Sequence, residues 1–325
     1  MICLPDLPTV LSAERNPHLV ITGAAGLVGQ NLIVLLRERG YQRITAIDSH
    51  RNNLAILQQH SPDITVVEAD MSQAGPWQDA LTGADCVFQL QAQIGAKHSD
   101  TFVRNTLDST RHVLAACHRH SVPYLVHISS SVVNSVADDD YVRSKAGQEQ
   151  LVAQSGIPHC ILRPTLMFGW FDRKHLGWLS RFMGKTPVFP IPGDGRYLRQ
   201  PLYVRDLCRA LIACMEKQPR DAVYDLTGPD GMDYIDLIRR IRSLCHHHCL
   251  ILTIPIGFFA FLLRSYAVFS KNPPFTADQL SALTAGDVFT GVDMQATFGF
   301  TPTPLEAALK ETFTQAPWNR IALER

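Results

Sequence analysis

Tyr141 and Lys145 stand one helical turn apart in Tyr-Val-Arg-Ser-Lys, so on a helix they share a face. A phenol exchanges a proton with a hydroxyl near neutral pH only when its pKa falls well below about 10, and an ammonium alongside does this by stabilising the phenolate. Upstream, Ser129, Ser130 and Ser131 end an apolar run, where a hydroxyl can hydrogen-bond the same reacting oxygen. The combination points to proton transfer at a carbon-bound oxygen. A Tyr-x-x-x-Lys spacing alone also occurs on ordinary surface helices, and the serine-tipped strand is what gives it weight.

A carrier for a hydride moving with that proton has a place at Gly23-Ala-Ala-Gly26-Leu-Val-Gly29. Gly23 lets the chain leave a strand sharply, Gly26 removes a side chain where a pyrophosphate must approach the backbone, and Gly29 lets helix and strand pack closely. The amides of the helix that opens here face the phosphates. Asp48 closes the next strand, where an acid accepts hydrogen bonds from the adenosine ribose and repels a 2′-phosphate. The expected cofactor is therefore NAD rather than NADP, Arg51 being the residue that would pair with the extra phosphate. Asp70, in Glu-Ala-Asp-Met, is placed either to reach the adenine or to cap a helix.

These residues need a frame. His18 to Thr22 is a short apolar run, and Leu27, Val28, Leu32, Leu35 and Leu36 then recur at helical spacing until Gly40. Arg43 to Asp48, Ile64 to Glu68 and Asp85 to Leu90 read as further strands. A long helix over Phe102 to Arg119, the strand Tyr124 to Ser129, a helix over Tyr141 to Ser155 and the strand His159 to Arg163 continue the alternation. This pitch predicts an α/β fold with a Rossmann-like, doubly wound parallel sheet covered on both faces. From Gly169 to Pro201, Gly, Pro and aromatic residues become dense, which marks the start of a smaller C-terminal α/β substrate lobe. The expected organisation is an N-terminal extension over 1–17, an NAD-binding domain over 18–168 and a mainly substrate-binding lobe over 169–325. A segment around 201–226 is expected to return to the first domain. Further helices are expected around Tyr234 to Cys245 and Thr303 to Phe313.

The 325 residues are 46% hydrophobic and 18% charged, with 30 basic against 30 acidic side chains, so no global field draws the chain to nucleic acid. A small molecule is the expected partner. Cys3, Cys86, Cys117, Cys160, Cys208, Cys214, Cys245 and Cys249 lack paired metal-type spacing and sit mostly in apolar runs, as in a reducing compartment. Met1 to Pro17 has no apolar core of signal-peptide type, and a cytoplasmic location is the expectation. Cys245-His-His-His-Cys249 has metal-ligating residue types, but five contiguous residues do not converge on one ion, and no metal is expected. Leu250 to Phe269 is nearly all apolar, yet Pro255, Gly257 and Arg264 interrupt it. It reads as a buried strand plus a core helix rather than a membrane contact.

Gly-Ala-Ala-Gly-Leu-Val-Gly, Asn105-Thr106, Val126-His-Ile-Ser-Ser-Ser131, Tyr141-Val-Arg-Ser-Lys145, Arg163-Pro164 and Pro201-Leu-Tyr-Val-Arg-Asp206 follow one another in order. In this the chain resembles, over nearly its whole length, the extended short-chain dehydrogenase/reductases, the branch of nucleotide-sugar epimerases, dehydratases and reductases. The resemblance implies that Tyr141 is the general acid/base and that Lys145 lowers its pKa while binding the nicotinamide ribose. It implies that Ser131 orients the substrate oxygen, with Ser130 as the alternate. Ala25, Leu27, Val28, Met71, Leu90, Ala92 and Asn105 would line the cofactor, and Pro164 and Thr165 would lie near the nicotinamide. A dimer through the long helices is also implied.

The sequence departs from that family in places. Dehydratases of this type carry an acidic pair after the serine position, where Val132 and Val133 stand here, which favours simple redox or epimerisation over water loss. Asp138, Asp139 and Asp140, just before Tyr141, read as a solvated loop. Arg199 matches the family arginine that clamps a nucleotide-sugar diphosphate, whereas a second such arginine is replaced by Thr284. The resulting expectation is an oxidoreductase or epimerase acting on a hydroxyl or keto group, foremost of a nucleotide sugar. A steroid-like or other apolar alcohol is the alternative substrate, and a non-catalytic cofactor-bound scaffold is the alternative role.

Overall fold

The computed structural model describes residues 11–96, 98–135, 139–269, 280 and 289–324. Leu19–Thr22 (β1), Ile44–Asp48 (β2), Thr65–Glu68 (β3), Cys86–Gln89 (β4), Leu125–Ile128 (β5) and His159–Pro164 (β6) alternate with helices Leu27–Glu38 (α1), Arg51–His60 (α2), Ser99–Phe102 (α3), Ser109–Arg119 (α4) and Asp140–Ala153 (α5). Then follow Met167–Phe168 (β7), Leu176–Met183 (α6), Val188–Pro192 (β8), Leu198–Arg199 (β9), Leu202–Tyr203 (β10), Val204–Lys217 (α7), Ala222–Leu226 (β11), Met232–Asp233 (β12) and Tyr234–Leu244 (α8). Leu250–Ile254 (β13), Ile256–Phe269 (α9), Met294–Phe298 (α10) and Leu305–Thr314 (α11) complete the described elements.

The central sheet has seven strands in the order β11-β6-β5-β4-β1-β2-β3, every neighbouring pair parallel. Helices cover both faces, and β1, β4 and β5 are buried at every residue, which is why they read as unbroken apolar runs rather than as alternating ones. The chain runs outward from β1 to β3 and then returns to β4 on the other side of β1. That reversal opens a crevice at the carboxyl ends of β1 and β4, where open α/β sheets hold their ligands. β11 arrives late in the chain and completes the sheet beside β6, and α7 before it is tied to α1 by the Arg205–Glu38 pair at 2.6 Å.

The expected long helix over Phe102 to Arg119 is not uniform. Between α3 and α4 the residues Val103–Asp108 form a π-helical turn. The wider turn frees carbonyls that nearby hydroxyls take up: Ser109 Oγ donates to Asn105 O at 2.8 Å and Thr110 Oγ1 to Thr106 O at 2.7 Å.

Beyond β6 a second cluster of buried residues, including Phe168, Phe189, Tyr197, Leu237 and Leu309, forms its own core. Three two-stranded pairings belong to this later part: β7 with β10, β9 with β12 and β8 with β13. The expectation of a buried strand and core helix over Leu250 to Phe269 is corrected here. Both elements form, but Leu250, Leu252, Ile256, Phe258, Phe261 and Leu262 are exposed. Among the described residues strand β13 pairs with β8 alone. Among the described residues no helix is long and apolar enough to cross a membrane.

Candidate active site

The glycine turn sits where β1 enters α1, at the crevice. A Cβ on Gly23, whose φ is +73°, would lie 2.6 Å from Gln91 N, so the turn after β1 and the loop after β4 touch through backbone alone. On Gly29 it would lie 2.5 Å from Ala24 Cα, which fixes how closely α1 returns over the turn. On Gly26 it would meet only Gly23 O, at 3.5 Å. Two of the glycines therefore serve packing, while around the middle one no further atom of the described residues comes within 4 Å of that Cβ position, at the amino end of a helix whose N-cap has no side chain.

Asp48 ends β2 beside this turn. One carboxylate oxygen accepts from Ala25 N and the other from His50 N, both at 3.0 Å, so the acid also holds the turn in shape. Arg51 pairs with Glu68 at 3.6 Å on the surface. Asp70 Oδ1 accepts from Ser72 N and Oγ, and Oδ2 from Arg104 Nη2 at 2.7 Å. The Ser72 bonds, then Arg104, keep its carboxyl below the usual range. Ala25 and Met71 are buried, and Leu27, Val28, Leu90 and Ala92 are half-buried around the crevice. Asn105, on the π turn, donates to Gln93 Oε1 at 2.8 Å, and Thr106 Oγ1 accepts from Gln93 N, which ties that turn to the loop after β4. Thr165 extends β6, its N–H donating to Leu226 O at 2.9 Å, with Pro164 just before it.

At the carboxyl end of β5, Ser130 caps a 3-10 turn over Ser131–Asn134. Its hydroxyl pulls the pKa of the Tyr141 phenol down, which sets Ser130, the alternate of the two serines, beside the tyrosine; Ser131 is buried in the turn. Asp139 is the N-cap of α5, accepting from Val142 N at 2.8 Å, and Asp140 bonds Ser99 and Arg143. Those two acids start the helix that carries Tyr141 instead of lying in a free loop; Asp138 lies outside the described residues.

Lys145, one turn further along α5, is fully buried. Its Nζ donates to Ile128 O at 2.8 Å and to Gln148 Oε1 at 2.5 Å. Desolvation pulls its pKa down from 10.5 to about 7, opposed only weakly by Glu149. Burial likewise raises the Tyr141 phenol, with Ser130 pulling the other way. Burial thus dominates both groups, and it pushes both toward their neutral forms.

Sequence reasoning missed the polar chain behind this pair. Gln148 Nε2 donates to Gln91 O and Thr110 Oγ1, Gln89 Nε2 also donates to Thr110 Oγ1, and Gln91 Oε1 accepts from Thr22 Oγ1 at 2.5 Å. His127, opposite Gln89 in register, is fully buried with both ring nitrogens unpartnered and is held neutral by burial and by Lys145. The helical offset of Gln148 from Lys145 was the one available signal. Arg199 lies on β9 opposite Met232, its charge acting on His175, Tyr197 and Tyr234 in the second lobe. In the Cys245–Cys249 segment, Ser180 Oγ lies 3.2 Å from both Cys245 Sγ and His247 Nε2, and Cys249 is buried. Thr284 lies outside the described residues.

The sequence model of the NAD dependent epimerase/dehydratase family matches residues 19–226, from β1 through β11. The chain belongs to that family. It is thus an NAD-dependent enzyme of the extended short-chain dehydrogenase/reductase type, and the space at Gly26, the amino end of α1 and the Asp48 carboxylate suit a dinucleotide. A dTDP-glucose 4,6-dehydratase from Streptomyces venezuelae, solved with NAD and TYD bound, shares the fold at a TM-score of 0.73 and 18% identity, over 93% of this chain and 97% of that one. Two curated relatives are each 26% identical. One is a 4-hydroxy-2-methyl-3-oxo-4-farnesyl-3,4-dihydroquinoline-1-oxide ketoreductase from Stigmatella aurantiaca, over 64% of this chain and 67% of its own length. The other is a dTDP-glucose 4,6-dehydratase from Streptomyces griseus, over 68% and 76%.

Proposed function

We propose that this family member oxidises or reduces a hydroxyl or keto carbon of a nucleotide sugar, with Tyr141 moving the proton at the substrate oxygen. The observation that carries this reading is that Ser130, at the carboxyl end of β5, and Tyr141, in the first turn of α5, stand on adjoining elements in the same row of strand ends as the glycine turn. NAD, when bound, supplies the hydride acceptor or donor. Gly23, Gly26, Gly29 and Asp48 would hold its adenosine diphosphate half, with Asp70, Met71, Leu90, Ala92 and Asn105 around it, and Lys145, Pro164 and Thr165 would border the nicotinamide half.

Burial keeps Tyr141 protonated, and a neutral phenol is the form that donates to a carbonyl oxygen as hydride reaches its carbon. The reverse step needs the phenolate, which the Ser130 hydroxyl favours by donating to it. Lys145, titrating near 7, can take up or release a proton at working pH. Arg199 would clamp a substrate diphosphate. The Val132-Val133 pair supplies no acid to assist water loss, which supports redox or epimerisation.

The test has two parts. Thermal shift with UDP, TDP, GDP and CDP should reveal one that stabilises, by about 2.7 kcal/mol at a hundredfold excess over its Kd. No shift with any of them sinks the nucleotide-sugar reading and favours an apolar ketone or alcohol, a second reading supported by the farnesyl-bearing compound in the Stigmatella relative's name. A protein that binds NAD but turns over neither substrate class would instead be a cofactor-bound scaffold.

A further inference from the structure

Strands β8 and β13 pair in parallel, Leu250 opposite Val188 and Leu252 opposite Pro190. Partners in register share a face, as do residues two apart on one strand, so Val188, Leu250 and Leu252 form one outer face. All three are exposed, Leu250 at 56%. Helix α9 continues from this edge and turns Ile256, Phe258, Phe261 and Leu262 to solvent, Phe261 at 62%, with the Phe258 and Phe261 rings stacked 6.4 Å apart. The offsets from 258 to 261 and 262 make one helical stripe. Scattered exposed apolar side chains are ordinary, whereas an apolar ledge across two adjoining elements marks a contact surface.

The charge around the ledge is one-sided. Residues 173–193, leading through β8, and 237–277, which include β13 and α9, contain no Asp or Glu, although the chain as a whole has as many acids as bases. Leu250 N donates to Pro187 O at 2.8 Å, which sets the approach to β8 beside the loop that precedes β13. That corner presents exposed Lys185, His246 and His248. Further off, Arg240 is neutralised by Glu306 and Arg239 by Asp236, and Arg242 donates to Cys249 O. At the other end of β8, Asp194 accepts from Arg196 N.

We propose that the β8–β13–α9 ledge seats the protein on an anionic lipid surface, with Phe258 and Phe261 among the acyl chains and Lys185, His246 and His248 at the headgroups. An interfacial surface sets aromatic and aliphatic residues on one face with basic residues at its edge; here Lys185 stands at the Leu250 end of β13, and Asp194 stands past the other end, where α9 begins. The 14 described residues of α9 span about 21 Å, short of the roughly 30 Å hydrocarbon core, so they suit the interface rather than a crossing. Residues 173–193 and 237–277 hold no carboxylate that a second copy could set against Lys185, whereas an anionic lipid surface supplies the opposite charge. The proposal is independent of the catalytic assignments.

The test is co-sedimentation of the full chain with NAD on phosphatidylcholine vesicles, with and without phosphatidylglycerol, at low and high salt. The expected result is capture by the phosphatidylglycerol vesicles, weakened about tenfold at high salt or in Lys185→Glu, and by about as much or more in the Phe258→Ser/Phe261→Ser double variant. Unchanged melting temperature and NAD affinity in the variants separate a lost surface from a lost fold. Wild-type protein left in the supernatant with the anionic vesicles overturns the proposal. So does a double variant captured as well as wild type, or a lipid-free dimer that the double variant dissociates.

Discussion

Around Tyr141 the fold buries Lys145, Gln148, Gln89 and His127, whereas on the β8–β13–α9 ledge it leaves Phe258, Phe261 and Leu250 in solvent. Each region reverses the ordinary preference of its side chains. In the catalytic corner the reversal is stabilised in part from within: hydrogen bonds satisfy Gln148 and the lysine, while Gln89 Oε1 and both His127 nitrogens stay unpartnered, and Lys145 responds to desolvation by dropping to about 7. On the ledge nothing in the described residues compensates. On the reading proposed above, the buried polar chain tunes a reaction in the first lobe, while the exposed apolar face of the second awaits an outside partner.

The strongest way to break this division is Tyr141→Phe. Loss of the hydroxyl should lower kcat about a thousandfold while NAD affinity is kept; a variant that turns over at the wild-type rate removes Tyr141 from the mechanism. Next come the glycines that shape the corner. Gly29→Ala drives a Cβ to 2.5 Å from Ala24 backbone and should cost about 3 kcal/mol in denaturant unfolding. Gly26→Ala meets only an oxygen at 3.5 Å, so stability should stay within about 0.5 kcal/mol while NAD affinity falls about tenfold. Equal stability losses in the two would mean that Gly26 is also a packing residue.

Lys145 gives a pH-dependent test. Folded, it releases its proton at about 7, and unfolded only near 10.5, so between these values the unfolded chain binds the extra proton. Wild-type stability therefore rises as pH climbs through that window, and below about pH 7 the full cost of the buried ammonium is present. Lys145→Met removes the titration, so its melting temperature relative to wild type should decline as pH increases. A constant difference from about pH 6 to about pH 10 would show that the folded-state shift is absent. The smallest effect belongs to the ledge: Phe258→Ser/Phe261→Ser should change unfolding free energy by less than about 0.5 kcal/mol, since the side chains are already exposed. A loss of several kcal/mol would make them core residues.

Much of the first lobe was legible. The glycine triplet, the strands before and after it, the helix carrying Tyr141 and Lys145, and the late return of β11 all leave local marks, because turn geometry and two-sided burial constrain residue type directly. Ser130 against Ser131 was not legible, since neighbouring identical residues differ only in which way a 3-10 turn aims them. Gln91 and His127 escaped as well, because a polar residue inside an apolar strand shows nothing of its partners. Leu250 to Phe269 misled for the converse reason. Apolar character records an affinity for burial, and only the arrangement of neighbouring elements says whether anything is there to bury it.

The sequence by itself determined the parallel α/β sheet, the dinucleotide turn and the pairing of Tyr141 with Lys145 on one helix face, because each follows from short-range periodicity and backbone sterics. Tertiary structure alone decided the electrostatic state of that pair and the fate of the apolar segment. Both depend on what surrounds a side chain through space: desolvation moves a lysine by several pKa units only when distant strands close over it, and a phenylalanine is buried only when another element arrives to cover it.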